Sequence, residues 1–200
     1  MAVKAAKNPT PRIGSRQRVA IEGVTPEIDG GAFAVRRACG EWVEVEADIF
    51  TDGHDELYGV LRYRQDGTRL WHEVAMTPLG NDRWRARFQT NEIGRYRYTV
   101  LAWVDPFRSW RRDLTKRIDA PQLDMRDLML AFRVGAALVR AAAARAPAAE
   151  ARRLLEMATL LAADDTEAGD ADIARRRVSV LTPVGAALRL IEPERGDFLL

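Results

Sequence analysis

Between positions 42 and 50 the chain alternates with period two. Val43, Val45, Ala47 and Ile49 fall on one side; Glu44, Glu46 and Asp48 fall on the other. That pattern predicts a half-buried antiparallel strand. The same alternation returns at residues 57–64, and again where Trp84, Ala86 and Phe88 interleave with Arg83, Arg85 and Arg87. It returns once more at residues 95–103, with Tyr96, Tyr98 and Val100 on one face. Shorter strands are expected at residues 18–22, 33–38 and 70–76. Turn chemistry separates them: Asp29-Gly30-Gly31, Asp52-Gly53-His54-Asp55 and Gln65-Asp66-Gly67, with residues 78–82 read as a loop. About seven short strands at regular spacing predict a β-sandwich over residues 18–104. The acidic and arginine faces are expected to pair across the sheet.

After Val104 the period becomes helical and alanine, leucine and arginine dominate. Leu128, Phe132, Gly135 and Val139 form one stripe, with Met125 and Leu138 beside it. Pro147 ends the alanine run 141–146 and is expected to open a second helix, whose buried face carries Leu154, Met157, Ala158 and Leu161. Two helices with a short link predict an antiparallel hairpin within a helical region at 105–177. The stretch from Trp103 to Lys116 reads as the junction, pinned by its arginines. Asp164, Asp165 and Gly169 are expected to end the second helix. Residues 1–17, with Pro9, Pro11 and Gly14, read as a flexible arm. Val178 to Leu181 reads as a returning strand that would complete the sandwich, and 182–200 as a tail without period. The expected fold class is therefore a mainly β sandwich with an α-helical hairpin or bundle after it.

Composition narrows the chemistry. The 200 residues are 47% hydrophobic and 30% charged, a globular balance. The length suffices for a real core without staples, and is short for an α/β barrel. A net charge of +2 excludes a polyanion binder by bulk charge. The single cysteine, Cys39, excludes an intrachain disulfide and reads as a buried inert thiol. No apolar run is long enough to span a bilayer, and the basic start has no apolar core, so a cytoplasmic location without membrane contact is expected.

Motifs for chemistry are sparse. His54 and His72 are the only histidines, and neither lies in a metal-ligand spacing. There is no nucleophile elbow and no glycine-rich phosphate loop. No carboxylate pair sits at a recognisable strand-end signature for sugar chemistry. No catalytic, cofactor-binding or metal residue is therefore assigned, and no cofactor is expected. Five tryptophans remain: Trp42, Trp71, Trp84, Trp103 and Trp110. Exposed rings could stack on sugars; the reading that needs least is core or domain seam. The arginines interleaved with aromatics fit a solvated strand face better than a nucleic-acid site.

Four blocks carry a resemblance. They are Ile21-Glu22-Gly23-Val24 with Pro26-Glu27-Ile28-Asp29-Gly30-Gly31 before Phe33; Asp52-Gly53-His54-Asp55; Pro78-Leu79-Gly80-Asn81-Asp82-Arg83-Trp84; and Gly94-Arg95-Tyr96-Arg97-Tyr98-Thr99-Val100, running on to Ala102-Trp103-Val104-Asp105 and Trp110-Arg111-Arg112-Asp113-Leu114. In this order they resemble the N-terminal region of the alpha-1,4-glucan:maltose-1-phosphate maltosyltransferase family, over about residues 18–116. The helical part matches in character and place only.

The resemblance implies an immunoglobulin-like domain with an all-helical domain inserted before its last part. It implies that both help to build a homodimer, and that α-glucan is the class of ligand. It places catalysis in a following alpha-amylase-type barrel, where an aspartate nucleophile and a glutamate acid/base transfer maltosyl with retention. None of those positions has a counterpart in these 200 residues, so the resemblance implies a chain that lacks the catalytic barrel. Two departures stand out. Pro106 replaces the family's usual histidine, and residues 183–188 replace the family's entry into the barrel.

Overall fold

In the computed structural model, residues 19–120, 122 and 124–163 are described. The arm expected at 1–17, the helix-ending residues Asp164, Asp165 and Gly169, the returning strand at 178–181 and the tail at 182–200 lie outside the described residues. The described chain forms two units: residues 19–53 with 57–104, and residues 54–56 with 105–163.

The first unit is built from seven strands: β1 (Val19–Thr25), β2 (Trp42–Thr51), β3 (Leu57–Gln65), β4 (His72–Ala75), β5 (Thr77–Gly80), β6 (Arg83–Gln89) and β7 (Tyr96–Val104). They form two antiparallel sheets, ordered β1-β2-β6-β5 and β4-β3-β7. This is the A-B-E-D over C′-C-F order of an immunoglobulin-type sandwich. The predicted alternation sets the interior. Val43, Val45, Ala47 and Ile49 of β2 face Trp84, Ala86 and Phe88 of β6, together with Leu61 and Val100 from the other sheet. Each of the valine, leucine, isoleucine and phenylalanine side chains contributes about 1.5–3 kcal/mol by its burial. Trp84 is accommodated because its indole Nε1 donates to the Ile49 carbonyl at 3.2 Å. Tyr63 stacks on Phe88 with centroids 4.4 Å apart. At the start of β7 the Tyr96 hydroxyl accepts from the Glu92 N–H at 3.2 Å, bonding the backbone of the corner that precedes the strand. A tyrosine in that place, bonded to that corner, is a recurrent lock of such sandwiches.

Two expectations are corrected. Residues 33–38 do not form a strand: only Phe33 makes a bridge, to Ile28. Residues 78–82 are not simply a loop, because Thr77–Gly80 pairs with β6 as an edge strand. Pro78 is tolerated there because an edge strand need not donate on its open side.

The second unit contains three helices rather than the expected two: α1 (Pro106–Ile118), α2 (Met125–Ala143) and α3 (Ala148–Ala162). The supposed junction is itself α1. Asp105 caps it by accepting the Arg108 N–H at 2.9 Å, and Pro106 fills the first helical position, where no N–H is needed. Asp124 caps α2 in the same way, accepting from Arg126 N–H at 2.8 Å. Pro147 stands one residue before α3, at the cap. Phe107, Trp110, Leu114 and Ile118 of α1 meet Leu128, Phe132 and Val139 of α2 and Leu154, Ala158 and Leu161 of α3. The Trp110 indole donates to the Ala131 carbonyl at 2.7 Å. Residues 54–56 belong to this unit through Glu56. Its N–H is taken by Ser109 Oγ at 2.7 Å, and its carboxylate by Arg112 at 2.8 Å. That arginine ties residues 54–56 to α1 within this unit. Among the described residues no helix is long and apolar enough to cross a membrane.

Candidate interaction surfaces

The outer face of the β1-β2-β6-β5 sheet is a charge ladder. Register places Glu44 opposite Arg87, Glu46 opposite Arg85 and Asp48 opposite Arg83. The ion pairs also run diagonally. Arg83 reaches Glu46 at 3.0 Å and Asp48 at 3.2 Å, while Arg85 reaches Glu46 at 2.6 Å and Glu44 at 3.4 Å. The hydrogen bonds from Arg85 and then Arg83 hold the Glu46 carboxyl below the ordinary glutamate value of 4.5. A lowered folded-state value means that the ladder stabilises above the unfolded value and is lost as pH falls through the folded one. Wild type should therefore be more stable than Glu46→Gln near neutrality, with the gap closing as pH falls below the ordinary glutamate value of 4.5. Thermal unfolding above and below that value tests this; a gap independent of pH would refute it. The ladder satisfies itself and offers no unmet chemistry.

The outer face of the β4-β3-β7 sheet differs. Register sets Tyr58 beside Trp103, Val60 between Ala75 and Leu101, and Arg62 between Glu73 and Thr99. Val60 and Leu101 are buried although they belong to neither interior cluster. Tyr58 and Trp103 are tilted rings with centroids 5.2 Å apart. At the other end Trp71 lies within 5.2 Å of the Arg62 guanidinium carbon and 4.7 Å of the Arg64 one.

The five tryptophans thus divide. Trp84 and Trp110 are interior. Trp42, at 52% exposure with Arg87 over its ring at 4.7 Å, sits on the ladder face. Trp71 and Trp103 are partly exposed and lie outside both interior clusters. The core-or-seam reading is met as core by Trp84 and Trp110 and is corrected for Trp42, which sits at an outward position of β2 and is exposed. Cys39 is also corrected: it is exposed, with Sγ 3.3 Å from the Asn91 carbonyl. It follows a stretch that makes no strand, so nothing draws it inside.

The third surface is on the helices. Leu130 and Val134 of α2 are 60% and 47% exposed, and Ala137 and Ala141 continue the line at helical spacing. On α3, Leu155 and Leu160 are exposed as well. Among the described residues no group of three or more His, Cys, Asp or Glu could hold a metal ion. His54 and His72 are both exposed.

Residues 17–190 match the family model described as alpha-1,4-glucan:maltose-1-phosphate maltosyltransferase, domain N/S. The chain is 46% identical over 153 residues to the alpha-1,4-glucan:maltose-1-phosphate maltosyltransferase of Chlorobaculum tepidum, covering 76% of this chain and 22% of that protein. It is 47% identical over 145 residues to the enzyme of that name from Myxococcus xanthus, covering 70% of this chain and 21% of the other. With the Salinibacter ruber protein of the same name it shares 32% over 190 residues, 91% of this chain and 28% of the other. The chain spans only 21% to 28% of the length of these relatives. With a match that runs through both units, the chain belongs to the alpha-1,4-glucan:maltose-1-phosphate maltosyltransferase family, in its N/S region.

Proposed function

We propose that this chain is a non-catalytic scaffold and dimerisation region of a cytoplasmic maltosyltransferase, one that transfers maltosyl from maltose 1-phosphate to α-1,4-glucan. The observation that carries the reading is the match of residues 17–190 to the N/S region, set against relatives of which the chain covers 22% and 21%. The chemistry belongs to the remainder of such an enzyme. The physical work of this region is to hold and to pair. The sandwich supplies a rigid body, and the exposed apolar line on α2 supplies a surface that gains by meeting a second copy.

The purified chain, given maltose 1-phosphate and glycogen, should release no phosphate above a protein-free blank. Sustained phosphate release would overturn the reading. A second reading, an α-glucan-binding or protein-interaction module that acts alone, is favoured by the part-exposed, arginine-flanked Trp71.

A further inference from the structure

β3 turns Tyr58, Val60, Arg62 and Arg64 away from the sandwich interior, and β7 does the same with Arg97, Thr99, Leu101 and Trp103. In an antiparallel sheet packed on one side only, such positions meet water. Three of these do not. Val60, Leu101 and Thr99 are only 6%, 4% and 5% exposed. The Nε atoms of Arg62 and Arg64 are also shut off from water, without a hydrogen-bond partner. On the same face Tyr58, Glu73 and Thr99 are each engaged in a further polar or ring interaction. The strands that β3 and β7 meet stand beside them in the sheet or across the interior, so none of the seven strands lies over this face. The centre of the face is nonetheless covered.

We propose that residues 183–192 fold back within the same chain and cap the outer face of the β4-β3-β7 sheet, covering Val60 and Leu101. The chemistry of the segments outside the described residues selects this one. Residues 1–18 carry Lys4, Lys7, Arg12, Arg16 and Arg18 and no acidic residue. The face already holds Arg62, Arg64 and Arg97, so that segment would set like charges together. Residues 164–177 are mostly charged, and Ile173 is their one large apolar residue. Val178 to Leu181 reads as a strand, whose backbone groups need a sheet edge rather than a sheet face. Residues 183–192 bring Val184, Leu188, Leu190 and Ile191, three small residues, and one charge of each sign in Arg189 and Glu192. Such a segment gains by leaving water over an apolar centre, and its two charges suit the Arg62–Glu73 ion pair beside it. Reach is ample, because residues 163–182 can extend to roughly 66 Å beyond the end of α3. The cap forms within one chain and so depends neither on the scaffold reading nor on self-association. It keeps an apolar sheet face from meeting other proteins.

Paramagnetic NMR of the full chain tests the cap. A spin label is attached through Ala186→Cys, with Cys39→Ser removing the other thiol. The methyl signals of Val60 and Leu101 should be lost and should return when the label is chemically reduced, while the Trp42 indole signal on the ladder face keeps most of its intensity. Methyl signals that stay sharp would overturn the cap. Spin-labelled chain mixed with isotope-labelled chain that carries no spin label should leave those methyls intact; their loss in the mixture would place the cover on a second copy and overturn the intramolecular cap. A label attached through Ala5→Cys should leave them intact too, and their loss from there but not from residue 186 would assign the cover to the N-terminal segment instead. Leu188→Asp combined with Ile191→Asp should abolish the effect of the label at 186 and open Val60 and Leu101 to broadening by a soluble paramagnetic agent. The same double variant with both methyls as protected as in wild type would overturn the cap. Circular dichroism and the melting temperature confirm that each variant is folded.

Discussion

Replacing Gly135 with alanine should destabilise the helical unit by about 3 kcal/mol, lowering its melting temperature by about 10–20 °C. A Cβ at this position would lie 2.0 Å from Trp110 Cζ2 and 2.4 Å from Cε2, far inside any real contact. Two effects oppose each other. Alanine is a better helix former than glycine by about 1 kcal/mol, which alone would stabilise α2. The steric effect is larger because the ring has nowhere to go. Trp110 is buried, its indole is fixed to the carbonyl of Ala131, one turn before Gly135, and the Phe107 ring packs against it with centroids 5.3 Å apart. Relief would cost either the indole hydrogen bond or the α1–α2 spacing. Calorimetry of Gly135→Ala beside wild type decides this. An alanine variant as stable as wild type would mean that the α1–α2 contact is not as tight as described.

The second large effect concerns pairing. Leu130→Asp combined with Val134→Asp should weaken self-association about 100-fold or more, while leaving the melting temperature of the separated chain within about 3 °C. Both residues are exposed on α2, so the charges create no cavity within one chain. In a self-contact the same residues would lose water on both copies, and every substitution would count twice. Ile93→Asp is the control. It is the most exposed of the large hydrophobics, at 92%, and lies in the β unit; its substitution should leave the oligomeric mass unchanged. If Ile93→Asp separates the copies and the α2 pair does not, the pairing surface is on the sandwich.

Much of the fold was legible because the strongest local signals agree with tertiary burial. The period of two at 43–49 became the inner face of β2, and the arginines of β6 took up the carboxylates opposite them. The stripe Leu128, Phe132 and Val139 became the α2 core face. The failures have physical causes. β5 was hidden because Pro78, Gly80, Asn81 and Asp82 are turn residues, and a four-residue edge strand needs pairing on one side only. The strand expected at 33–38 had suitable residues but no partner, and a strand exists only by pairing. α1 was signalled by Asp105-Pro106, a cap followed by a first-turn proline that can open a helix at Phe107, but its short arginine-rich run shows a weaker apolar stripe than α2 or α3. The interaction surfaces were the least legible. The alternation with Ala86 and Phe88 marked Trp84 for the interior, whereas Trp71 lies just before a four-residue strand, too short for its period to mark a face, and only the structure shows that it lies outside both interior clusters.

The most direct test of the scaffold reading is the mass of the purified chain in solution, by multi-angle light scattering over a wide concentration range. The reading predicts a species of twice the 22.4 kDa chain mass that persists on dilution to micromolar protein. A clean 22.4 kDa species at every concentration would contradict it.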